Sequence, residues 1–144
     1  MTLDLSDPVH VDAIRAACEC YVEHGLTFVA RQIAARRHGH AEHPQTIAFE
    51  TITTPSLAAP LVRDLLLPRY PASTRHLIDV MHWRAHDHAK EACLCGKSWP
   101  EHVNVTIGAG LWTITAERLP ALILALLDAT TPEAALDALR KAGR

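Results

Sequence analysis

The stretch His102-Val103-Asn104-Val105-Thr106-Ile107, then Gly108-Ala109-Gly110, then Leu111-Trp112-Thr113-Ile114 decides the fold. Apolar β-branched side chains alternate with polar ones on either side of a short glycine-containing connection. A period of two places one set of side chains on a buried face, and glycine supplies the backbone freedom that a tight connection needs. The spacing therefore predicts a β-hairpin over residues 102–114. Directly after it the period changes. Leu119, Ile123, Leu126 and Leu127 recur at helical steps, with Thr115 expected to cap the first turn and Glu117 to lie within it. Thr130, Pro132 and Glu133 then start a second helix carrying Leu136 and Leu139, so the carboxyl end reads as a helical hairpin.

Upstream, Val11, Ile14, Cys18, Tyr21, Val22, Phe28, Val29 and Ile33 form an apolar stripe at three- and four-residue steps, predicting a long amino-terminal helix over 9–37. Asp7 is placed to cap it with Pro8 at the first helical position; Gly25 offers a point for a bend or break, and one long helix or two shorter ones fit the pattern equally well. The run Thr46-Ile47-Ala48-Phe49-Glu50-Thr51-Ile52-Thr53 is rich in β-branched residues and reads as a strand with Ile47 and Phe49, joined in phase by Thr51, on one face. Thr54-Pro55 opens a short helix with Leu57, Leu61 and Leu65 inward, ended by Pro68 and Pro71. Residues 73–91 fit two periods. Leu77, Val80, Met81 and the 84–88 run suit a helix, which is the favoured reading, while residues 76–83 also alternate as a strand. The fold class expected is thus α+β, with a long N-terminal helix, a small mostly antiparallel sheet and C-terminal helices.

At 144 residues the chain has the size of one domain able to bury roughly 70% of its unfolded surface. Residues 1–144 are read as a single domain. Thr51-Ile52-Thr53 with Leu57, Ala59 and Leu65 corresponds at constant offset to Thr113-Ile114-Thr115 with Leu119, Ala121 and Leu127, which would fit two related strand-to-helix halves, or simply two Thr-rich helix approaches. Fourteen basic and sixteen acidic side chains leave a formal charge of −2, so no overall positive field draws the chain to nucleic acid or an anionic membrane. The last two helices have the spacing of a helix-turn-helix, but Glu133 opens the second one, where a phosphate would repel it. The clusters Arg31, Arg36, Arg37, His38 and Arg140, Lys141, Arg144 would touch phosphates only if the fold brought them together, and solvation of helix ends explains both more simply. Nucleic acid is therefore a disfavoured partner. The opening Met1-Thr2-Leu3-Asp4 has neither the basic start nor the apolar run of a signal peptide, and the longest apolar run, broken by Pro120, is far below the ~20 residues of a membrane span. A cytoplasmic protein is expected, in which the four cysteines are thiols or metal ligands rather than disulfides.

Chemistry concentrates in Cys93-Leu94-Cys95-Gly96-Lys97-Ser98-Trp99-Pro100-Glu101-His102. Two thiolates and an imidazole supply three of the four soft or borderline ligands that zinc arranges tetrahedrally, although the spacing is not that of a Cys-x₂-Cys knuckle and thiols lining a turn fit as well. Candidates for a fourth ligand are Cys20 and His24, one helical turn apart, and His82, His86 and His88. Cys18 belongs to the apolar stripe and is expected in the core. Asp79, His82, His86 and Asp87 form, if helical, a possible acid/base or hard-metal group. Ten histidines also allow a large charge change under mild acidification. The common protease, phosphate-loop and esterase motifs do not occur. Four functions follow: an accessory or regulatory protein stabilised by zinc, a metal-dependent hydrolase with an open coordination position, a metal-free protein-interaction domain, and a nucleic-acid-binding regulator. An exposed sheet edge and the apolar C-terminal helices favour self-association or a protein partner.

Overall fold

A computed structural model describes residues 3–37, 43–83 and 101–143, with the helical backbone alone over 26–37. Helix α1 (Pro8–Arg37) begins as its sequence requires: Asp7 Oδ1 accepts a hydrogen bond from the Val9 amide at 2.9 Å, and Pro8 occupies the first turn, where no amide donor is needed. At Gly25 the backbone adopts φ 82° and ψ 177°, a conformation essentially reserved for glycine, so α1 is two helical segments joined across a kink.

Helix α2 (Pro44–Thr53) replaces the strand expected over 46–53. Pro44 starts it, and the extended Thr54 before Pro55 stops it. Its β-branched residues are accommodated because Ala48, Phe49, Thr51 and Ile52 make a buried stripe of helical period. The Thr51 and Thr53 hydroxyls donate to the carbonyls of Ile47 and Phe49, both at 2.7 Å. Side-chain hydroxyls that could have competed with the helix are thus satisfied within it, and packing against α1 outweighs a weak propensity. Helix α3 (Pro55–Leu66) forms where expected and buries Ala58, Leu61, Val62, Leu65 and Leu66, but Leu57, expected inward with Leu61 and Leu65, is 49% exposed because it lies off the face that packs on the core. Two 3₁₀ turns, Leu67–Arg69 and Ala72–Leu77, lead onward through the proline-containing segment.

The next element is strand β1 (Ile78–Trp83), so the helix favoured over 73–91 does not form in its described part. Residues 84–91 lie outside the described residues. What the local sequence left undecided is settled by β2 (His102–Ile107), which offers β1 an antiparallel partner over six residues, from Ile78 opposite Ile107 to Trp83 opposite His102. The hairpin read from the sequence is present: β2 pairs antiparallel with β3 (Gly110–Thr115) through a turn in which Gly108 has φ 59°. The sheet order is β1-β2-β3.

Thr115 does not cap the following helix with its side chain. A 3₁₀ turn, Ala116–Arg118, intervenes, and helix α4 (Leu119–Asp128) starts with Pro120 in its first turn. Helix α5 (Pro132–Ala142) is capped by Thr131, not Thr130, whose hydroxyl accepts from the Ala134 amide at 3.1 Å. The Thr51–Thr53 triplet therefore ends a helix while its counterpart Thr113–Thr115 ends a strand. The correspondence between them does not extend to conformation.

Cross-strand partners share a face, so one side of the sheet presents the rows His82–Val103–Ile114, Val80–Val105–Trp112 and Ile78–Ile107–Gly110. Ile78, Val103, Val105 and Ile114 on this inner face join Ile14, Phe49, Ile52, Val62, Leu66, Leu122, Leu126 and Leu139 in the hydrophobic core. Helix α3 packs on β1, while α1 packs on α2 and α4. An Arg15–Asp128 ion pair at 2.8 Å ties α1 to the end of α4, and Arg69 donates to the Ala129 carbonyl at 2.9 Å. No helix among the described residues is long and apolar enough to cross a membrane.

Candidate functional site

The strand geometry of β1 redistributes the polar residues that a helix would have gathered. Successive side chains alternate between faces, so Asp79, Met81 and Trp83 project outward while Val80 and His82 project inward. Asp79 and His82 are consequently on opposite sides of the sheet and do not form the acid/base pair that helical spacing suggested. His86 and Asp87 lie outside the described residues.

The candidate zinc ligands separate in the same way. His102 starts β2 on the outer face, where its ring is stacked with Trp83, centroids 6.4 Å apart and planes inclined by 14°. His82 is one position from Trp83 and therefore on the inner face. Its Nε2 is buried with no hydrogen-bond partner among the described residues, and Glu101 Oε1 stands 3.9 Å away. Cys20 and His24 belong to α1, Cys20 half-buried and His24 exposed with Glu23 Oε2 at 3.8 Å. Cys93, Cys95, His86 and His88 lie outside the described residues. Among the described residues, no three His, Cys, Asp or Glu side chains are grouped as a metal ion would need. Cys18 is a core thiol, as its place in the apolar stripe implied, and burial pushes its pKa up to about 12.

The feature that the side-chain chemistry of single residues did not announce is the outer face itself. Its rows are Trp83–His102–Thr115, Met81–Asn104–Thr113 and Asp79–Thr106–Leu111. Met81, Trp83 and Leu111 are exposed, at 50%, 49% and 58%, while Val103, Val105 and Ile114 behind them are fully buried. Between the large apolar groups Thr113 Oγ1 donates to Asn104 Oδ1 at 2.9 Å, fixing the amide at the centre of the face. The three strands contain neither Lys nor Arg. Within the three strands this face offers apolar area, an aromatic pair, the hydroxyl and amide groups of Thr106, Thr113 and Asn104, and the Asp79 carboxylate. Alternation within 78–83 was the signal that could have exposed it, since Met81 and Trp83 occupy the phase opposite to Ile78 and Val80.

Comparison with protein-family models, with curated proteins and with solved structures gives no match.

Proposed function

We propose that this chain is a non-enzymatic binding protein, an accessory or regulatory component of the cytoplasm, whose open sheet face takes a protein partner. One observation carries the reading: Met81 and Trp83 on β1 and Leu111 on β3 lie on the same sheet face, turned away from the core, each about half exposed or more. Large apolar groups gathered on one surface are the mark of a contact site, and Trp is enriched where binding energy concentrates. The partner is a second copy or another protein. Light scattering over a wide concentration range separates these cases, since a second copy raises the mass as concentration rises. Where a purified partner is found, changing Trp83→Lys or Leu111→Lys should weaken its binding at least about tenfold, as placing a charge in a buried apolar contact does. Binding unchanged by both substitutions would overturn the assignment of this face.

Zinc held by Cys93, Cys95 and His102, with a fourth ligand from Cys20, His24, His86 or His88 and not from His82, which faces the other side of the sheet from His102, is the second reading. The sheet register favours it in one respect: Trp83 and His102 are cross-strand partners, so the chain leaves β1 and returns to β2 at one end of the sheet, and Cys95 precedes His102 closely along the chain. Elemental analysis of tag-free protein prepared without chelator should then give about one zinc per chain and much less after Cys95→Ser. Negligible metal in folded parent protein would remove both zinc functions, structural and hydrolytic, and leave the binding surface standing.

A further inference from the structure

We draw no further inference here: the strongest candidate, the exposed outer face of the β1–β2–β3 sheet around Trp83 and Leu111, belongs to the surface already proposed as the binding site, and nothing in the structure shows which partner covers it.

Discussion

Replacing Ile114 and Leu111 by alanine, each in its own variant, tests the one-sidedness of the sheet on a single strand. Both changes remove three carbons from β3, but Ile114 is fully buried and Leu111 is 58% exposed. At about 0.8 kcal/mol per buried methylene, losing three from Ile114 costs about 2.4 kcal/mol in transfer, and the cavity left behind raises this to about 3 kcal/mol or more. Leu111 has less than half of its surface to lose from the folded state and leaves no cavity, so its cost is about 1 kcal/mol. The lower strand propensity of alanine lowers both variants together and leaves the difference of about 2 kcal/mol in place. In urea, with an m-value of about 1.5 kcal/mol/M, the midpoint should fall by about 2 M for Ile114→Ala and about 0.7 M for Leu111→Ala. The unfolding curves are to be recorded by circular dichroism at two protein concentrations well apart. Equal losses for the two variants would refute the assignment of an open outer face. If the Leu111→Ala loss also grew with protein concentration, the face would be covered by a second copy of the chain.

Two further expectations rest on local features. Gly25→Ala should destabilise the protein by about 1–3 kcal/mol, because φ 82° with ψ 177° is strained for any residue with a Cβ, although an added Cβ would meet open space. A variant more stable than the parent would mean that α1 straightens when the glycine is removed. The Cys18 thiol should resist a thiol reagent in folded protein at pH 8 and react on unfolding, since burial holds it protonated up to about pH 12. Its titration has a definite sign. The raised folded pKa means that the unfolded chain releases the proton first, so the contribution to stability is complete below the ordinary value of 9.0 and is lost as pH rises from there to about 12. Removing the group with Cys18→Ala should flatten this part of the stability profile, and an unchanged slope would show that other groups cause it.

The elements that were legible in the sequence are those whose period is supported by local stop and start chemistry. Asp7-Pro8 marks the beginning of α1, Gly108 and Gly110 bracket the hairpin turn, and the change from alternation to helical steps after Ile114 marks the passage from sheet to helix. Residues 46–53 carry two opposed signals, a β-branched content that suits a strand and the flanking Pro44 and Pro55 that bound a helix, and only packing decides between them. The candidate site was less legible still. Single histidines and cysteines attract notice by their chemistry, whereas Met81 and Trp83 on β1 and Leu111 on β3 acquire meaning only once strand pairing puts them on one face of the sheet.

By itself the sequence determined the α+β composition, the hairpin and the place of Cys18 in the core, because each depends on side chains or dihedral preferences within a few residues of one another. Only the tertiary structure decided that 46–53 is a helix, that 78–83 is a strand, and that His82 and His102 face opposite sides of the sheet. Those outcomes depend on partners distant in sequence: α1 supplies the apolar surface that makes α2 worth forming as a helix, and the free edge of β2 supplies the hydrogen bonds that make β1 a strand.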